Sequence, residues 1–169
     1  DVCSSDLGLV TVPWNGVFHT GGPSGAGADC LAWAADLLGV ADVADVLRLA
    51  AASTEPPLFI PALSGTRAPG WNPAARGALL GLRRAHGPAD IARAVLEGVA
   101  FADAALFGGL PMQRVVLAGG GARSDLWSQI RADVFAHPVL RTPGETGLLG
   151  AAAVAWTGLG HFASLADAR

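Results

Sequence analysis

Residues 115–133 read VVLAGGGARSDLWSQIRAD, and no other stretch restricts the fold so strongly. A short apolar run halts at three consecutive glycines, Gly119, Gly120 and Gly121. An apolar repeat of helical period begins directly behind them. Residues 114–118 predict a strand, and 125–136 predict a helix with Leu126, Ile130 and Val134 inside. Residues 138–141 predict a second strand. Strand, helix and strand at this spacing form a β-α-β unit, which joins parallel strands. An α/β layered domain follows.

Upstream, residues 10–12 predict a short extended segment, and WNGVFHTGGPSGAGADC behind it reads as a glycine-rich loop. A helix is predicted over 27–38, with Leu31, Ala34, Ala35 and Leu38 on one face and Gly39 as its stop. Asp42 is expected to cap a second helix over 43–52, with Val43, Val46, Leu47 and Ala50 inward. Residues 58–60 predict a buried strand, followed by a long turn-rich loop with Pro61, Pro69 and Pro73. GALLGL, at 77–82, fits strand and helix equally well. Pro88 and Asp90 open the strongest helix, whose apolar stripe is Ile91, Val95, Val99, Ala102 and Leu106, ended by Gly108 and Gly109. The last helix begins near Glu145. The uncharged run 146–166 contains four glycines, so it reads as a buried, close-packed helix and not as a membrane span.

At 169 residues the chain suits one domain with a real core. A net charge of −3 with scattered arginines excludes a nucleic-acid surface, and 51% hydrophobic content excludes disorder. Lysine is absent, and all eleven basic side chains are arginine. That excludes a lysine-bearing phosphate loop, a pyridoxal Schiff base and any lysine nucleophile within this chain. Cys3 and Cys30 make no disulfide framework; Cys30 reads as a buried small hydrophobe and a reduced cytoplasm is the expected compartment. The opening DVCSSDL resembles a translated sequencing-adapter scar. The expectation is that residues 1–7 are not native and that 8–169 are part of a domain whose gene continues upstream.

Several groups compete for a chemical role. The strand–Gly-Gly-Gly–helix junction could present backbone N–H groups to an anion. Asp125 in the first helical turn already complements the helix dipole and would repel phosphate, which favours a neutral ligand such as a nucleoside. Arg123 could stack on a base or reach a phosphate oxygen. A tight turn capped by Ser124, with no ligand, fits the spacing equally well. GGPSGAG falls one glycine short of a nucleophile elbow around Ser24. The four histidines show no metal-ligand spacing, and His137 before Pro138 reads as a turn residue. Glu97 is expected to partner a nearby arginine or flank the helix. In SGTRAPGWNP, Arg67 and Trp71 are the expected contact residues of a functional loop, or else the loop caps the domain edge.

Four blocks together, FIPALSGTRAPGWNPAARGALLGL, ARAVLEGVAFA, VVLAGGGARSDLWSQIRADVFAHPV and ETGLLGAAAVA, resemble the C-terminal half of FGGY-family carbohydrate kinases. The resemblance is nearest to xylulokinase-like members and runs from about Leu58 to Gly160. It implies a ribonuclease H-like, actin-type ATPase C-terminal domain, here lacking its first strands. It implies phosphoryl transfer from ATP with Mg2+ to a sugar hydroxyl, the sugar being xylulose or a related one. Partners would then be ATP and a small sugar, with no nucleic acid and no membrane. In the family the glycine block is the adenosine motif, so Gly119, Gly120, Gly121, Ala122, Arg123 and Gln129 are the implied nucleotide contacts.

No catalytic residue is assigned within this chain. The family's first phosphate loop, its sugar-binding residues, its general-base aspartate and its second, Gly-Thr-rich phosphate motif all precede the matched region. The resemblance therefore implies a kinase as the parent and an inactive chain by itself. It also implies an unpaired sheet edge, exposed apolar surface and poor solubility. The alternative is a non-catalytic actin-like α/β binding or interaction module in which the glycines serve only the turn.

Overall fold

The computed structural model describes residues 9–14, 17–108, 112–142 and 144–168. The suspected scar at 1–7, Cys3 and Gly109 lie outside the described residues.

The organising element is α3, Pro88–Phe107. Gly87 precedes it in extended backbone, Pro88 occupies its first turn, and Asp90 accepts a hydrogen bond from the Gly87 N–H at 2.8 Å. The Ser53 hydroxyl donates to the other Asp90 oxygen at 2.6 Å. Around α3 pack α1 (Ala28–Leu38), α2 (Val43–Ala50), α4 (Asp125–Phe135) and the strand β3 (Leu58–Ile60). With neighbours on so many sides, α3 buries more than the expected stripe. Val95, Val99 and Leu106 are buried, and so are Ala92, Ala94, Leu96 and Ala100, while Ile91 and Ala102 are only half-buried. At Gly98 the β3 backbone crosses so closely that a Cβ would lie 2.4 Å from the Phe59 carbonyl oxygen. Only glycine fits there.

The predicted helix signals hold for α1 and α2. Gly39 ends α1 in the left-handed region, φ 66°, and the Asp42 carboxylate accepts from the Asp45 N–H at 3.0 Å at the start of α2. Cys30, Leu31, Ala34 and Ala35 of α1 and Val46 and Ala50 of α2 enter the core. Burial pushes the Cys30 thiol pKa up, which suits an inert packing residue.

Three two-stranded sheets complete the described structure. β1 (Val10–Trp14) pairs antiparallel with β2 (Val17–Gly21), so the expected glycine-rich loop is strand over its first part. The Asn15-Gly16 pair between them is a hairpin sequence signal that the many following glycines mask. β3 pairs antiparallel with β4 (Ala78–Leu80), which settles GALLGL as strand. β3 is not buried as expected: Phe59 points inward, but Leu58 and Ile60 are exposed. The predicted β-α-β unit is present. β5 (Val115–Leu117) runs parallel to β6 (Val139–Arg141), joined through α4, with Val115 opposite Val139.

The last helix, α5 (Thr146–Gly158), corrects the sequence reading most sharply. It was expected to be buried, and none of its residues is. Leu148 is 72% exposed and Trp156 51%. Apolar composition shows what a helix can bury, and here only the short turn Leu165–Ala168 and the rings of His161 and Phe162 beside Trp156 lie against it. No helix among the described residues is long and apolar enough to cross a membrane.

Candidate functional site

The chain leaves β5 at Leu117 and turns at Gly119, whose φ of 78° lies where side chains are rarely tolerated. A short 3-10 turn, Gly120–Arg123, follows, and the Ala122 N–H donates back to the Gly119 carbonyl at 3.1 Å. The Ser124 hydroxyl then accepts the Trp127 N–H at 3.2 Å and starts α4, the cap that the tight-turn reading of the sequence gives it.

This loop borders a cavity of about 300 Å3, lined also by Ala28, Asp103, Ala118, Trp127 and Arg131. Gly120, Gly121 and Ala122 all line it. The two glycines differ in what surrounds them. A Cβ on Gly120 would meet nothing within 4 Å, whereas one on Gly121 would lie 2.9 Å from Cζ3 of Trp127. Gly121 is thus required by packing behind the loop, and Gly120 leaves open space in front of it.

The other expected contacts fall around the rim. Arg123 is exposed and ion-paired to Glu145, an equally exposed carboxylate. Such surface pairs contribute little, so Arg123 is free to exchange Glu145 for a ligand. Asp125, which the sequence set against phosphate binding, is ion-paired to Arg141. Gln129 does not join the glycine cavity. It lines a neighbouring cavity with Asp125, Ser128, Pro138, Val139 and Arg141, and its amide donates to Asp133 at 2.8 Å.

Three residues at the cavity were not singled out in the sequence: Trp127, Arg131 and Asp103. The Trp127 indole N–H donates to the Leu96 carbonyl of α3 at 3.1 Å, and the side chain is 3% exposed. The Arg131 guanidinium lies over the indole, 3.9 Å from its centroid, and bonds Asp103 Oδ2 at 3.2 Å. Burial raises the Asp103 pKa from its ordinary value, against the pull of Arg131. Trp127 and Arg131 are four apart and could have been paired from the helical repeat. Nothing local links them to Asp103.

Other candidates resolve as structure. The Ser24 hydroxyl donates to the Ala26 carbonyl at 2.7 Å and accepts its N–H at 3.2 Å, so it serves a local turn. Glu97 pairs with Arg93 at 2.6 Å. His137 Nδ1 lies 3.0 Å from the Phe135 carbonyl at the turn after α4. Among the described residues no group of three or more His, Cys, Asp or Glu could hold a metal. Arg67 sits over Trp71, 6.0 Å from the ring centroid. Their loop borders an open apolar cavity of about 340 Å3 against Phe59 and Phe101.

Residues 17–159 match the model of the FGGY family of carbohydrate kinases, C-terminal domain. Over 138 residues the chain is 45% identical to a xylulose kinase of Escherichia coli (strain K12), covering 76% of this chain and 28% of that protein. It is 40% identical over 155 residues to a glycerol kinase of Bordetella parapertussis, covering 86% and 30%. The crystal structure of ligand-bound xylulose kinase from Lactobacillus acidophilus superposes with a TM-score of 0.81 at 28% identity, over 95% of this chain and 35% of that one. The chain belongs to the FGGY family of carbohydrate kinases and has the fold of that family's C-terminal, actin-like domain. It spans less than a third of the length of these two curated relatives.

Proposed function

We propose that the intact gene product is an ATP-dependent sugar kinase, transferring the γ-phosphoryl group to a hydroxyl of xylulose or a related sugar. In this reading Gly119, Gly120, Gly121 and Ala122 form a wall against adenosine, and Arg123 stands at its rim. Gln129 acts from the flank, through the neighbouring cavity. The observation that carries this is Gly120: it faces open cavity, in a loop that needs no glycine there for its own packing. Asp103 and Arg131 are the charged residues lining that cavity and neutralise each other, which suits a base and ribose better than a triphosphate.

Magnesium enters this proposal with the nucleotide phosphates, since the carboxylates around the loop, Asp103, Asp125 and Glu145, are engaged by arginines. No residue of this chain is proposed as the general base. The domain division, with residues 1–7 non-native and 8–169 part of an FGGY C-terminal domain, is likewise proposed, as is a cytoplasmic location.

Titrating ATP into the intact gene product tests the assignment. Wild-type protein binds with measurable heat, and Gly120→Trp, which fills the open space without straining the loop, abolishes binding. Unchanged affinity in that variant overturns the adenosine wall.

A further inference from the structure

The cavity wall behind the glycine loop is a stack of three side chains from two helices. Trp127 stands nearest the loop: its six-membered ring carbons Cζ3 and Cε3 would lie 2.9 and 3.3 Å from a Cβ on Gly121. The indole cannot slide away, because its N–H is held by the Leu96 carbonyl in the middle of α3. Arg131 covers the ring, and the Arg131 Nε and Nη2 both donate to Asp103 Oδ2, at 3.3 and 3.2 Å. Arg131 and Asp103 side chains are 11% and 21% exposed, so this ion pair is largely shielded from water. Removing one partner of a shielded pair costs more than removing one of an exposed pair.

We infer that Trp127, Arg131 and Asp103 form a positioning unit that fixes the depth of the nucleotide wall by clamping Gly121 from behind. This rests on the reading of the glycine loop as a nucleotide wall and deepens it. The unit ties the loop to α3 as well as to its own strand and helix. Arg131 is the keystone. It contacts the ring, its Nη1 would lie 3.4 Å from a Cβ on Gly121, and it anchors to α3 through Asp103. Arginine suits this place because a planar guanidinium can stack and bond in plane at once, which an ammonium cannot do.

The test measures ADP affinity by calorimetry, with thermal unfolding as the control for folding, in the intact gene product. Arg131→Met removes the cation and the ion pair but keeps much of the length of the side chain; ADP affinity should fall roughly tenfold. Asp103→Asn should weaken binding less, and Arg131→Lys should recover only part of the loss. Gly121→Ala should also weaken binding, and adding Trp127→Leu should restore affinity toward wild type, because the smaller side chain makes room for the methyl group. That compensation is specific to clamping, since a merely stabilising tryptophan would make the double variant worse than either single one. ADP affinity unchanged in Arg131→Met, or no compensation in the Gly121→Ala, Trp127→Leu pair, overturns the inference while leaving the nucleotide wall intact. Failure of the wild-type protein to bind ADP at all removes the wall and the positioning unit together.

Discussion

Helices α3 and α5 invert the usual relation between charge and burial. α3 contains four charged residues, Asp90, Arg93, Glu97 and Asp103, yet it lies at the centre of the molecule. α5, TGLLGAAAVAWTG, has no charged residue and buries none of its side chains. The difference lies in partners. Each charge on α3 has a counterpart: Asp90 has Ser53 and the Gly87 N–H, Arg93 has Glu97, and Asp103 has Arg131. With its charges satisfied, α3 can be surrounded. α5 needs no such compensation, but among the described elements only the short turn Leu165–Ala168 packs on it, and that leaves its side chains exposed. Its Leu148, Leu149, Val154 and Trp156 are exposed to solvent.

The comparison breaks if equivalent deletions in the two helices cost the same. Leu96→Ala in α3 should destabilise the chain by about 3–5 kcal/mol, because Leu96 is fully buried and leaves a cavity. Leu148→Ala in α5 should change stability by no more than about 0.5 kcal/mol. Urea unfolding midpoints compare the two directly.

Glycine replacements sharpen the same contrast. Gly98→Ala drives a methyl group into the Phe59 backbone and should cost roughly 2–3 kcal/mol. At Gly150 in α5 a Cβ meets nothing within 4 Å, so Gly150→Ala should stabilise by about 0.5–1 kcal/mol through helix propensity alone. Opposite signs in thermal melts are the expected result; equal signs would mean that α5 is packed in solution.

Solubility should separate the helices as well. Replacing Leu148 and Leu149 by serine should lower the light scattering of concentrated chain without moving its unfolding midpoint. A lowered midpoint would show that these leucines are buried.

The smallest effect concerns acid. Hydrogen bonds from the Ser53 hydroxyl and the Gly87 N–H hold the Asp90 carboxyl below its ordinary pKa. A depressed acid adds stability that is complete above the unfolded value, about 3.9, and is lost as pH falls through the folded one. Burial shifts Asp103 the other way, so its contribution has the opposite sign in acid. Asp90→Asn should therefore flatten the decline in stability below about pH 4. A decline as steep as wild type would show that Asp90 does not drive it.

Much of this structure was legible residue by residue. Asp42 and Ser124 as caps, Pro88 at the start of α3, Gly39 as the stop of α1 and the parallel β5–α4–β6 unit all rest on interactions within four residues or on the length of one crossover. The candidate loop was legible for the same reason, since three glycines between a strand and a helix are a local signal. Less legible was β2, whose hairpin signal was masked by the glycines that follow it. The family resemblance implies Gln129 as a nucleotide contact beside the loop, yet it lines the adjacent cavity.

The sequence by itself determined where the helices begin, that Asp42 and Ser124 cap two of them, and that a glycine loop of an FGGY C-terminal domain joins β5 to α4. Those outcomes depend on backbone propensities and hydrogen bonds between near neighbours. Only the tertiary structure decided which apolar helix is buried, that Gly121 rather than Gly120 is filled from behind, and that Asp103 meets Arg131 across 28 residues. These depend on packing between elements, where a side chain's neighbours are set by how helices cross and not by its place in the chain.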